Sequence, residues 1–221
     1  MLKDLVSLIF PRNCINCNTS LISTESCLCT RCKLDLPLTN DHQLLENELY
    51  QKFSFQPKIK SAQSFIYFHQ GGMAQKLLHQ LKYQGRREIA KEMGAWFAPN
   101  LAALEVQMIV PVPLHPRKRR KRGFNQSDWM ANGIAQELGI EVRTDLIRRV
   151  KRTRTQTSKS KVSRWANLAN VYSPAAVEVA NKTILVVDDV ITTGATIGML
   201  CERLVEQGVA GIHIASLARG K

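Results

Sequence analysis

Two adjacent carboxylates, Asp188 and Asp189, close the apolar run Ile184–Val187, and the segment Ile191-Thr-Thr-Gly-Ala-Thr196 follows at once. An apolar run without alternation is what a central parallel strand, covered on both faces, requires. In sheets of that kind ligands bind outside the carboxyl ends of the strands, where this acidic pair is expected. The small, hydroxyl-rich segment after it opens a helical pattern, so its backbone N–H groups would face an incoming anion. Three threonines add hydroxyl donors, and Gly194 permits close approach. A phosphate held by Thr192, Thr193, Gly194, Ala195 and Thr196 leaves a neighbouring sugar's hydroxyls facing the two carboxylates. The ligand this spacing predicts is a ribose 5-phosphate unit.

Other readings of the same string are weaker. A Walker B strand also ends in acidic residues, but the chain holds no G-x-x-x-x-G-K-[ST] to accompany it. A receiver domain needs far more chain after its acidic pair than the 32 residues that follow here. A buried strand with two merely solvated aspartates leaves the donor-rich loop unexplained.

A second chemistry lies near the N-terminus. Five of the six cysteines fall between Cys14 and Cys32, and four of them form two C-x2-C knuckles, Cys14-Ile-Asn-Cys17 and Cys29-Thr-Arg-Cys32, eleven residues apart. Each knuckle lets two thiolates converge on one tetrahedral ion, so Cys14, Cys17, Cys29 and Cys32 are expected to hold a structural Zn2+. A segment this short has no core of its own, and the metal would supply its stability. The gap is shorter than usual for such pairs, and Cys27 offers a competing ligand. We expect Cys27 to be a spare thiol beside the site. Cys201 sits on an apolar helical stripe and is expected to pack in the core.

The elements that must position these groups alternate between strand and helix. Residues 33–60, with Pro37 and Pro57, are polar and irregular and read as a connector. Strands are expected over Ser64–Gln70, Met108–Pro113, Glu141–Leu146, Thr183–Val187 and Gly211–Leu217. Helices are expected over Met73–Tyr83, Arg87–Leu101, Ser127–Leu138 and Ala195–Gln207. This alternation predicts an α/β fold with a mainly parallel sheet. The expected division is a zinc-binding, double zinc ribbon-like module with its connector over 1–60, and the α/β domain over 61–221.

The chain has 221 residues, 44% hydrophobic and 22% charged, which is ordinary for a globular protein. No apolar run approaches ~18 residues, so no membrane span is expected. The opening MLKDLVSLIF carries an acidic residue and no small-residue cleavage site. It reads as an amphipathic lead-in helix and not as a signal peptide, which predicts a cytoplasmic protein with reduced thiols. Net charge is +13, and His115–Arg164 alone holds 15 Lys/Arg against 4 Asp/Glu. That imbalance suits a polyanionic or phosphate-rich partner, with a solvated and partly disordered loop as the other reading of such a run.

The string "ILVVDDVITTGAT" resembles the phosphoribosyl-pyrophosphate (PRPP) motif of type I phosphoribosyltransferases. The rest of the chain is similar to the ComF/GntX family, the competence-associated ComFC-like proteins. The resemblance rests on the cysteine knuckles, "LLHQLKYQGRREIA", "VPVPLHPRKRRKRGFNQS", "TQTSKSKVSRWANLANVY" and the acidic motif, which together cover nearly the whole chain in order. It implies a type I phosphoribosyltransferase fold with PRPP as ligand and Mg2+ bridging pyrophosphate and ribose hydroxyls. Asp188 and Asp189 would take the ribose hydroxyls, and Thr192 to Thr196 the 5-phosphate. Arg117, Arg122, Asn125 and Gln126 would approach pyrophosphate. A mobile lid would occupy Thr153–Arg164, with Arg164 as a further contact, and its closure would exclude water.

Two kinds of function follow. The ComF likeness implies handling of single-stranded DNA during uptake, with a competence helicase as a partner. Arg119, Arg120 and Lys121 would then track phosphates, and Phe124, Trp129 or Trp165 would offer stacking faces, although Trp129, on an expected helix, is rather expected to pack in the core. The alternative is a true phosphoribosyltransferase whose acceptor the sequence does not name, or a GntX-like role in gluconate use.

Overall fold

The apolar run at Ile184–Val187 forms the middle of a five-stranded parallel sheet, and its four side chains are divided between two cores. Residues 12–44, 46–150, 171–174 and 179–220 are described in the computed structural model. The expected lead-in helix over Met1–Phe10 lies outside them. The sheet contains β1 (Ile59–Phe68), β2 (Met108–Pro111), β3 (Glu141–Val142), β6 (Thr183–Ile191) and β7 (Gly211–Gly220) in the order β1-β7-β6-β2-β3. A separate antiparallel pair joins β4 (Ile147–Arg149) to β5 (Tyr172–Pro174).

Leu185 and Val187 pack on one face with Leu77, Leu81, Phe97, Met130 and Ile134. Those partners come from α3 (Met73–Tyr83), α4 (Glu88–Leu101) and α6 (Gln126–Leu138). Ile184 and Val186 pack on the other face with Ile197, Leu200 and Leu204 of α7 (Ala195–Glu206). Burying a Val, Leu or Ile side chain contributes roughly 1.5–3 kcal/mol, so a strand covered on both sides has no use for alternation. Between α4 and α6 the backbones nearly touch. A Cβ on Gly133 would lie 1.9 Å from the Lys91 carbonyl oxygen.

The chain leaves β2 toward β3 and leaves β6 toward β7, in opposite directions along the sheet. A crevice therefore opens between the carboxyl ends of β2 and β6, the topological position where open α/β sheets bind ligands.

Several boundaries differ from the sequence expectation. Strand β1 begins at Ile59, within the expected connector, because it pairs along its whole length with β7. Strand β3 is only Glu141–Val142, and the residues after it turn toward β4. The basic run forms a helix, α5 (Pro116–Arg122), in which the His115 imidazole Nδ1 accepts the Arg117 N–H at 3.2 Å and Gly123 closes the end at φ 80°. Residues 33–60 do more than connect. The last part of α1 (Thr30–Leu34), a 3-10 turn (Asp41–Gln43) and α2 (Glu48–Gln51) fall here, and Leu49 and Phe53 are fully buried beneath α7. Asn47 caps α2 by accepting the N–H groups of Leu49 and Tyr50 at 3.0 and 2.9 Å.

Candidate functional site

Strand β6 does not stop at the aspartates but runs through them to Ile191, held by β7 through the pairs Asp188 with Ser216 and Val190 with Ala218. This fixes the backbone on which both carboxylates stand. Asp188 Oδ1 accepts the Ser127 hydroxyl at 3.1 Å and the Asp189 N–H at 2.8 Å. Ser127 belongs to α6, so the first bond spans the crevice. Burial, reinforced by the neighbouring Asp189 charge, pushes the Asp188 carboxyl up to about 7. Asp189 faces a cation, with Lys82 Nζ 2.8 Å from its Oδ2. Lys82 lies in the last turn of α3, and sequence reasoning did not select it.

After Ile191 the chain turns through Thr192, Thr193 and Gly194 into α7. Asp188 and residues 190–197 line one open hollow of about 210 Å³. The structure thus brings Asp188 together with Thr192, Thr193, Gly194, Ala195 and Thr196, while Asp189 stands next to Asp188 toward Lys82. Gly194 has φ 78°, a left-handed conformation natural to glycine. Its second hydrogen faces protein: a Cβ there would lie 2.8 Å from Phe53 Cζ. The close approach that Gly194 allows is therefore that of the Phe53 ring. Lys52 completes this support by donating to the Thr192 carbonyl at 3.0 Å.

The basic helix α5 presents Arg117, Arg119, Arg120 and Lys121 to solvent, with Arg122 half-buried. Arg122 Nη1 donates to Gln126 Oε1 at 3.1 Å. Partial burial, then the charges of Arg122, Arg149 and Lys82, hold Lys118 below the ordinary lysine value, opposed by Asp189. Lys82, Lys118, Arg122 and Arg149 therefore share one electrostatic neighbourhood with the carboxylates. Asn125 and Gln126 are 5% and 1% exposed. Asn125 is engaged in structure, donating to the Val112 carbonyl at 3.0 Å and to Asp128 at 2.6 Å. Phe124 is buried, and the Trp129 ring is covered by the Arg87 guanidinium at 4.6 Å. Trp165, Arg164 and the expected lid over Thr153–Arg164 lie outside the described residues.

The four sulfurs of Cys14, Cys17, Cys29 and Cys32 lie within 4.8 Å of one another, with Cys17 and Cys29 at 3.6 Å. Tetrahedral thiolates around Zn2+ at ~2.3 Å place their sulfurs roughly 3.8 Å apart, so this cluster fits a structural metal such as zinc. The Thr19 hydroxyl and N–H lower the Cys17 thiol to about 6, whereas desolvation pushes the Cys32 thiol up to about 12. Cys27 is fully buried beside Glu92, and that burial raises its thiol well above the usual range. It stands outside the four-sulfur group, and Cys201 is packed in the core. The module is fastened down at several points. Lys76 Nζ of α3 donates to the Asn16 carbonyl and side chain at 3.0 and 3.1 Å, Lys33 lies 4.2 Å over Trp96, and Ser26 bonds Glu92.

Residues 127–221 match the family described as phosphoribosyl transferase domain. The DNA utilization protein YhgH of Salmonella typhimurium is 35% identical over 65% of this chain and 66% of its own length. YhgH of Escherichia coli K12 is 29% identical over 89% of this chain and 86% of its own. Competence protein F of Haemophilus influenzae is 36% identical over 51% of this chain and 50% of its own. Among solved structures, a glutamine PRPP amidotransferase from B. subtilis is 23% identical with a TM-score of 0.42, over 57% of this chain and 25% of that one. Among the described residues no helix is long and apolar enough to cross a membrane.

Proposed function

The chain belongs to the ComF/YhgH (GntX) family with a phosphoribosyltransferase domain, and from that premise we propose a cytoplasmic PRPP-binding protein that handles single-stranded DNA during uptake. The observation that carries the ligand is the shared hollow: Asp188 and the N-terminal turn of α7 line it together. Asp188 and Asp189 accept the ribose hydroxyls, and the N–H and hydroxyl groups from Thr192 to Thr196 take the 5-phosphate. Lys118, Arg117 and Arg122 face the pyrophosphate, while Asn125 and Gln126 hold the base of α6 on which Ser127 stands. A bound Mg2+ would neutralise part of the pyrophosphate charge. Cys14, Cys17, Cys29 and Cys32 hold Zn2+ in a module that, with residues up to 60, packs on the 61–221 domain.

The DNA role is supported by the names of the relatives and by α5, whose Arg119, Arg120 and Lys121 are all exposed. A helicase that delivers the strand is the partner this role calls for. The second reading is a transferase, favoured by a family match that includes both aspartates and the phosphate loop. In that reaction an acceptor's lone pair attacks the anomeric carbon, the bond to pyrophosphate breaks, and pyrophosphate leaves with the electron pair while the acceptor loses its proton to solvent.

Calorimetry with PRPP and Mg2+ tests the ligand. Charge-assisted hydrogen bonds are worth roughly 1.5–3 kcal/mol each against about 1 for the neutral ones asparagine can keep, so changing Asp188→Asn and Asp189→Asn together lowers affinity by about one to three powers of ten. Unchanged binding in that protein rules out the ribose assignment. For DNA, log K should fall with log salt by ~0.7 per phosphate neutralised, and Gln substitutions at Arg119, Arg120 and Lys121 should flatten the slope with PRPP affinity retained. No binding to a single strand at low salt removes the DNA role in its direct form.

A further inference from the structure

Lys82 lies before the matched family segment, in a stretch that carried the family resemblance but was given no ligand role, yet it touches one of the two carboxylates on which the ligand reading depends. Its position is imposed by a rigid element. Helix α3 buries Leu77, Leu78 and Leu81 in the core that also contains Cys14 and Cys32, and its Lys76 is fixed to Asn16. The ammonium is thus delivered to Asp189 by a helix braced on both the sheet and the cysteine module.

The pair is a poor stability device. Lys82 and Asp189 are only 21% and 18% exposed, and in a pair this far buried the attraction is largely offset by desolvating both charges and ordering a long side chain. Its effect falls on whatever competes for Asp189. A sugar hydroxyl or a bare divalent cation must draw the carboxylate away from the ammonium and offers that ammonium nothing in return. A ligand that brings a pyrophosphate supplies a new anion for it, near Lys118, whose charge interacts with both Asp189 and Lys82.

We propose that Lys82 determines specificity at the Asp188–Asp189 pair, closing Asp189 to uncharged hydroxyl ligands and free divalent cations and yielding it to ligands that carry a pyrophosphate. Discrimination of this kind is a difference of affinities, produced by penalising the wrong ligand as well as by rewarding the right one. The inference rests on the PRPP reading and adds to it the residue that distinguishes PRPP from ribose 5-phosphate.

The test uses the full chain with its metal. PRPP with Mg2+ and ribose 5-phosphate with Mg2+ are titrated by calorimetry, and Mn2+ alone by electron paramagnetic resonance. In Lys82→Met, ribose 5-phosphate and free Mn2+ should each bind about tenfold tighter and PRPP about tenfold weaker, contracting the PRPP preference about a hundredfold. Lys82→Arg should restore most of the preference, and Lys76→Met should leave it in place. Misfolding would weaken all three ligands together. A Lys82→Met protein in which the two sugars shift in the same direction, or in which neither shifts, overturns the proposal. Absence of PRPP binding in the unmodified protein would fail the PRPP reading and this inference with it. PRPP binding with an unmoved preference removes only the role of Lys82.

Discussion

Arg219 and Asp41, 178 residues apart, face each other through two hydrogen bonds of 3.1 and 3.0 Å with 4% and 3% of their side chains exposed. The carboxylate also accepts the Ser64 N–H at 3.0 Å, and the guanidinium reaches Glu48 at 2.9 Å and lies 4.8 Å over the Tyr67 ring. Removing one partner of such a pair leaves a buried charge without compensation. Asp41→Ala should lower stability by about 3–5 kcal/mol in urea titration. Glu48→Ala, whose side chain is 73% exposed, should cost under about 1 kcal/mol. Equal costs at the two positions would show that burial of the pair is not what matters.

The cysteine cluster makes a compositional prediction. Purified protein should hold one zinc per chain by atomic emission. Cys14→Ser should lose the metal and much of the solubility, because the module's own apolar content is small. Cys27→Ser should keep it, since that thiol lies beside Glu92 and outside the four-sulfur group. The opposite pattern would replace the ligand set.

Gly194 predicts a folding defect and not a blocked ligand. An L-residue at its φ of 78° costs about 1–2 kcal/mol in backbone energy, and its Cβ would meet the Phe53 ring. Gly194→Ala should therefore lower the urea midpoint, and Gly194→Val lower it further. Adding Phe53→Leu to Gly194→Ala should recover part of the loss beyond that of either change alone. Strict additivity would mean that ring and glycine do not meet.

His213 sets an acid-side limit on stability. Its Nδ1 and the Ser61 hydroxyl are 2.7 Å apart, and burial, with the Lys60 charge behind it, lowers the imidazole to about 4. The unfolded chain takes up this proton near pH 6.5 and the folded protein only near pH 4. The group's contribution is thus complete above pH 6.5 and lost as pH falls toward 4, by up to about 3 kcal/mol. His213→Gln should flatten the stability profile across that window in chemical denaturation. A profile that keeps its slope assigns the acid loss to other groups.

The acidic motif and the cysteine knuckles were legible in the sequence because each places its chemistry within a few consecutive residues. The long helices were legible for the same local reason, and Met73–Tyr83 has the boundaries its Leu77, Leu78 and Leu81 spacing predicts. What failed depends on tertiary placement. Leu49 and Phe53 lie on and after a single helical turn, too short to show a period, so the segment reads as polar connector. Phe124 looks like a stacking face until the core is seen to cover it, whereas Trp129, expected to pack because it lies on a helix, does so beneath an arginine. Helix α5 has no buried residue and hence no apolar stripe, although Pro116 at its start and Gly123 past its end are signals the run does contain. Lys82 sits in a quoted stretch of the resemblance but nothing there marked it as a partner of Asp189, since that depends on where α3 points.

The pairing of β1 with β7 has a consequence for the nascent chain. Strand β1 is an edge of the five-stranded sheet, paired there with β7 and bridged on its other side by Leu38 at Ile66, and Ser61 meets His213, 152 positions later in the sequence. During synthesis β1 leaves the ribosome long before its partner exists, with Ala62, Phe65 and Ile66 among the side chains it must eventually bury. Loop closure over such a separation must precede any gain from the contacts, which makes this step slow. Until β7 arrives the side of the first strand away from Leu38 has no partner and its apolar side chains are uncovered, the kind of species that chaperones shield. Cells producing this protein quickly should accumulate it in aggregates through β1, and slower synthesis or added chaperone should return it to the soluble fraction.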